Sequence, residues 1–145
     1  MALQTRMDHR TGEDSDDLCS WLLSLPTPHE LTEAVTLSCD RHGDTAPTWM
    51  YVEADPAVGV ARRRCLSCAH SVHLLDSEPR WTFPQMWSCS GCGHSIAEVA
   101  AGLHLVDDTV TWVALGARCV ECGRLGGLTD LVVGAVPRDE VLRQL

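Results

Sequence analysis

A small, mostly-β fold with one short helix at each end is what this chain of 145 residues predicts. Three observations lead there. Seven of the eight cysteines, with one histidine, fall into four short knuckles: Cys39-Asp40-Arg41-His42, Cys65-Leu66-Ser67-Cys68, Cys89-Ser90-Gly91-Cys92 and Cys119-Val120-Glu121-Cys122. Between the knuckles lie short runs in which apolar and polar residues alternate, bounded by Asp, Gly and Pro, the pattern of β-hairpins. Aromatic residues make up only 5% of the chain, and knuckle-sized units bury too little apolar surface to fold on burial alone. The knuckles therefore have to contribute to stability, which predicts a metal-bound fold.

A two-residue spacer in a tight turn points two soft side chains at one ion, and two such turns complete a tetrahedron around zinc. The eight candidate ligands, Cys39, His42, Cys65, Cys68, Cys89, Cys92, Cys119 and Cys122, suffice for two closed sites, so two Zn²⁺ per chain are expected. Disulfides need an oxidising compartment. The start, Met1 to Gly12, is polar and lacks the apolar core of a secretory signal. A thioredoxin-like redox motif needs one such pair in a βαβ setting rather than four in series. Spacing alone also admits iron in a rubredoxin-like site; the histidine favours zinc.

No stretch approaches 18 consecutive apolar residues, so no membrane span and a cytoplasmic location are expected. The formal net charge of −9 falls to about −12 once seven thiolates hold two Zn²⁺. So acidic a chain is a poor generic binder of phosphate backbones. All eleven basic residues other than histidine are arginine, a usage associated with GC-rich bacterial genomes.

In chain order, residues 1–14 are polar and aperiodic, a disordered arm. Residues 15–38 hold a helix and a lead-in strand. Ser15 is placed to cap the helix, Asp16 and Asp17 suit its first turn, Leu18, Trp21, Leu22 and Leu25 make one apolar stripe, and Pro26 ends it. The stripe packs either on the chain's own core or on a protein partner. Cys19 stands outside the knuckles. Glu33–Leu37 alternates as a strand, although Thr27–Glu30 has the form of a capping box. Residues 39–84 contain a hairpin turning near Asp55–Ala57, then a second strand pair, Val72–Leu75 with Arg80–Phe83. Residues 85–136 contain a helical turn at Ile96–Ala101, a hairpin about Asp107-Asp108, and a buried strand over Leu128–Val136. Pro137 opens a helix over residues 137–145.

The two halves look like one unit used twice. Leu37-Ser38-Cys39 matches Trp87-Ser88-Cys89, Gly43 and Gly93 follow the second ligand, Ala61–Arg64 matches Gly116–Arg118, and Asp76 and Asp130 stand at the same distance after Cys65 and Cys119. This unit of knuckle, hairpin, knuckle and strand resembles the zinc-ribbon family over Cys39 to about Val136, with His42 in place of a second cysteine. The resemblance implies tandem ribbons, each with two knuckles at hairpin tips sharing one zinc. The repeat pairs the first knuckle with the second and the third with the fourth. A nested scheme would join the middle two knuckles and the outer two, and a cross-brace would join alternate ones.

Ribbons serve many roles, so function rests on the remaining residues. His70, His73, His94 and His104 lie near knuckles that already have four ligands each. Backbone N–H groups at Gly43, Ala69, Gly93 and Gly123 are expected to donate to the thiolates. Arg41, Arg62, Arg63 and Arg64 form the one dense basic cluster, fit for phosphate contact or for local charge compensation. Trp49, Trp81, Trp87 and Trp112 alternate on strands and read mostly as core. No nucleophile–base set, glycine-rich phosphate loop or carboxylate pair stands out, so no enzyme is expected. The sequence reads as an adaptor that binds other proteins, with a transcription-associated nucleic-acid binder as the alternative.

Overall fold

The structure, a computed structural model, describes residues 4–6, 9–39, 41 and 48–145. Its strands are β1 (Gln4–Arg6), β2 (His9–Thr11), β3 (Glu33–Thr36), β4 (Met50–Asp55), β5 (Val60–Cys65), β6 (Ser71–His73), β7 (Ala97–Val106), β8 (Thr109–Cys119) and β9 (Leu125–Pro137), with helices α1 (Ser15–Ser24) and α2 (Arg138–Arg143). β1 and β2 pair with each other. The other seven make one antiparallel sheet in the order β6-β5-β4-β7-β8-β9, with β3 beside β7.

The β7–β8 hairpin carries the fold. Val106 pairs with Thr109 across Asp107-Asp108, and Asp107 takes φ +56°, a conformation that a short polar side chain tolerates. Val99, Ala101 and Leu103 of β7 and Val113, Leu115 and Ala117 of β8 point into the main core. They meet Met50, Val52 and Ala61 from the first hairpin and Leu131, Val141 and Leu145 from the C-terminal segment, so both halves of the sequence share one core. The opposite face is lined mainly by small residues, Ala100, Gly102, Ala114 and Gly116, with Trp112 among them. Ala100 receives Leu18 and Leu22 of α1, while Trp112 and Ala114 receive Leu31. Arg118 and Glu98 close that face as a buried pair at 2.6 Å.

Burial on both faces explains a correction. Ile96–Ala101 reads as a helical turn because it is a few residues longer than its counterpart in the first half, yet Ala97 begins a ten-residue strand whose first seven residues are all buried. A strand covered on two sides loses its period-two signature. The helix α1 is where the sequence puts it, but its cap is Asp14 rather than Ser15: the Asp14 carboxylate accepts the Asp17 N–H at 3.0 Å. The stripe faces inward. Leu18 is 0% and Leu22 1% exposed, and Trp21 and Leu25 pack beside them.

Other expectations change as well. β6 stops at His73, and Arg80–Phe83 forms no strand, so the second hairpin is absent; β6 pairs with β5 instead. The segment Leu128–Val136 is an edge strand and only partly buried, with Val132 77% exposed. The residues of the N-terminal arm that are described have partners: β1 pairs with β2, and the Gly12 N–H donates to the Gly123 carbonyl at 2.8 Å. Trp49 is 52% exposed, whereas Trp112 is buried. The C-terminal helix is present over Arg138–Arg143, with Pro137 just before it making no side-chain cap and with Val141 fully buried.

Candidate metal centres

Strand register puts both knuckle pairs at one end of the sheet. Met50 pairs with Cys65 and with Ala97, and Ala97 pairs with Cys119, which makes one row across four strands. Three inter-strand steps of about 4.8 Å separate Cys65 from Cys119 along that row, roughly 14 Å. The knuckles therefore cap the two hairpins side by side.

Three of the four knuckles can be compared, and they have one geometry. The N–H of the first cysteine donates to the carbonyl five residues on: Cys65 to His70 (3.0 Å), Cys89 to His94 (2.7 Å) and Cys119 to Arg124 (3.0 Å). The residue after the second cysteine donates back to the first cysteine's carbonyl: Ala69 (2.9 Å), Gly93 (2.8 Å) and Gly123 (2.8 Å). That residue is left-handed each time, at φ +61°, +81° and +77°. Ala69, Gly93 and Gly123 thus serve carbonyl oxygens, which corrects their assignment as thiolate donors; Gly43 lies outside the described residues. The sulfurs take other N–H groups. Gly91 donates to Cys89 at 3.3 Å, and the backbones of Arg41, His94 and Arg124 serve Cys39, Cys92 and Cys122.

These turns bring seven thiols into two clusters, Cys39 with Cys65 and Cys68, and Cys89 with Cys92, Cys119 and Cys122. In each, all ligand atoms lie within 4.8 Å of one another. The Sγ–Sγ contacts are 3.6 Å for Cys39–Cys68, 3.6 Å for Cys89–Cys122 and 3.5 Å for Cys92–Cys119. A disulfide needs about 2.05 Å, and every described cysteine is free. A tetrahedral zinc with Zn–S near 2.3 Å would set sulfurs about 3.8 Å apart. Both clusters are able to hold a metal ion, and they group the described cysteines in the tandem manner rather than the nested or crossed one. His42, the expected fourth ligand of the first cluster, lies outside the described residues.

The metal-free thiols are pushed apart in acidity by their surroundings. Backbone and ring N–H groups of His94 bring Cys92 down to about 6, the ring nitrogen standing 3.3 Å from its sulfur. Burial of the sulfur, then the neighbouring thiols, push Cys122 up to about 12. Burial likewise raises Cys39 and Cys119. Four crowded sulfurs cannot all ionise without a cation among them.

The other site residues disperse. Arg62 is tied to Glu53 at 2.7 Å and lies over the Trp81 ring at 4.7 Å. Arg63 points the opposite way, is buried, and donates to the Leu145 carbonyl at 2.8 Å. Arg64 is exposed over Tyr51, and Arg41 is exposed beside the first cluster. The run Arg62–Arg64 is thus not one basic patch, because alternate residues of β5 face opposite sides. His104 binds the Glu30 carbonyl at 2.8 Å, and His73 packs edge-on against Trp81. Sequence reasoning missed Arg124, whose side chain reaches the third knuckle; its one signal was its place two residues after Cys122. No described helix is long and apolar enough to cross a membrane.

Comparison with protein-family models, with curated proteins and with solved structures finds no match.

Proposed function

We propose that this chain is a zinc-held binding module, built as two ribbon-like halves on one sheet, that acts by docking on another protein. The observation that carries the metal reading is the sulfur spacing of 3.5–3.6 Å in two clusters built from paired knuckles. Zinc fills each cluster, with His42 completing the first. Sites with four protein ligands have no open position for substrate or activated water, so the metals are structural and the chain is not an enzyme. The free cysteines of both clusters favour a reducing compartment, and with it a cytoplasmic location.

Protein is favoured over nucleic acid as the partner. The net charge is −9, Arg62 is engaged by Glu53, and Arg63 is inside. The apolar stripe of α1 is covered by the chain's own sheet, so the surface offered to a partner is elsewhere. Phe83 is 84% and Met86 41% exposed on the segment that follows β6, and Trp49 is 52% exposed beside the first cluster. Exposed large apolar residues are what interface cores use. Affinity capture from cell extract at two salt concentrations tests this. Binding that survives high salt and is lost in Phe83→Ser with Trp49→Ser, at unchanged zinc content, is the expected result. Submicromolar binding to DNA or RNA at physiological salt, lost on raising salt, would replace this reading.

A further inference from the structure

With zinc in both clusters and His42 as fourth ligand of the first, the two centres carry different charges, and Arg124 lies at the more negative one. Zinc with four thiolates has two net negative charges; zinc with three thiolates and a neutral histidine has one. Position 124 in the fourth knuckle corresponds to position 70 in the second, since each carbonyl accepts the N–H of its knuckle's first cysteine at 3.0 Å. The four-thiol centre has arginine there and the other has histidine.

The Arg124 side chain folds across onto the partner knuckle. A Cβ built on Gly91 would lie 3.1 Å from Arg124 Nη1, 3.2 Å from its Cδ and 3.6 Å from Cys89 Sγ. The guanidinium and the Cys89 sulfur therefore converge on the space a side chain at position 91 would fill. Gly91 is not left-handed, so the backbone does not demand glycine; room for Arg124 does. Arg124, Trp87, Cys89 and Ser90 line a cleft of about 170 Å³ at this point. Among the described residues Arg124 makes no ion pair.

We infer that Arg124 is the counter-cation of the four-thiolate centre, and that Gly91 is small in order to admit it. Arg124 acts on the thiolates through its field and is not a ligand. The inference rests on the zinc reading. His94 also approaches this centre, at 3.3 Å from Cys92 Sγ, so the Arg124 contribution has to be isolated by substitution at 124 with His94 unchanged.

The full chain loaded with cadmium-113 gives one resonance per centre, the four-thiolate one further downfield. In Arg124→Met only that resonance should move. Loss of metal from that centre to a competing chelator should accelerate roughly 10- to 100-fold, the usual effect of removing a group that supports the ligands. Arg124→Lys, which keeps the stem packing and the charge, should recover part of the retention and make it more salt-sensitive. Gly91→Leu should reproduce the Arg124→Met loss by displacing the guanidinium. Unchanged metal loss in Arg124→Met, or equal acceleration at both centres, overturns the inference while leaving the zinc reading intact. A wild-type chain that takes up no metal sinks both.

Discussion

The two candidate metal centres share one turn geometry in the three knuckles that can be compared, and differ in what surrounds it. The first centre stands at the open end of the β4–β5 hairpin. Its Cys39 is held by a backbone bond to Thr48 Oγ1 at 2.7 Å, and its left-handed residue is an alanine, Ala69. The second centre ends the long β7–β8 hairpin, which supplies nearly half of the shared core and receives α1 on its back. Its left-handed residues are both glycines, Gly93 and Gly123, and at Gly123 a Cβ would lie 2.6 Å from the Gly12 carbonyl oxygen. The difference teaches that a knuckle's glycine is set by its neighbours as much as by its own φ. It also predicts an asymmetry: the second centre anchors the whole fold, and the first anchors mainly its own hairpin.

The largest expected effect breaks that symmetry. Structural zinc supplies roughly 10–16 kcal/mol of apparent binding energy. Cys119→Ser should remove metal from the second centre and abolish slow amide exchange throughout β4–β9. Cys68→Ser should lose protection in β4–β6 and keep it in β7–β9. Equal loss in the two variants would show that the halves do not differ in weight. Next in size is the support behind β7. Leu22→Ala, at a position 1% exposed, should cost about 2–5 kcal/mol in denaturant unfolding, and Trp21→Ala should cost less because Trp21 is only partly covered. A negligible cost for Leu22→Ala would mean that α1 does not dock as described.

Smaller effects sharpen the comparison of the turns. Gly123→Ala meets both the left-handed backbone and the Gly12 carbonyl, so it should cost more than the roughly 1–2 kcal/mol of the backbone effect alone. Gly93→Ala, with nothing within 4 Å of the added carbon, should cost only the backbone part. Thermal unfolding of the two variants side by side reads the gap. Smallest of all, Ala69→Gly should stabilise the first centre by at most about 1 kcal/mol, because relief of φ +61° is partly offset by the entropy of the freer glycine.

Much of this was legible in the chain. The knuckles at Cys65, Cys89 and Cys119, the hairpin at Asp107-Asp108, the turn after Asp55 and the helix beginning near Ser15 follow from local rules about spacing, period and turn residues. What was not legible depends on the second face of an element. Ala97–Ala101 looked aperiodic because α1 covers its back. Arg62–Arg64 looked like one basic cluster because a sequence does not show which faces a strand's alternate residues take. Arg124 stands two residues after Cys122 in sequence, but its side chain lies at the third knuckle, against Gly91. Arg80–Phe83 has strand-like residues but no strand, since β6 finds its partner in β5.

The central claim is that each thiol cluster holds one zinc. Native mass spectrometry of the chain, purified under reducing conditions without added metal, measures this directly. The account predicts two zinc ions per chain, all eight cysteines lacking disulfides, and release of both ions on acidification as the thiolates protonate. A metal-free folded chain, one zinc per chain, iron in place of zinc, or disulfides within the knuckles would contradict it.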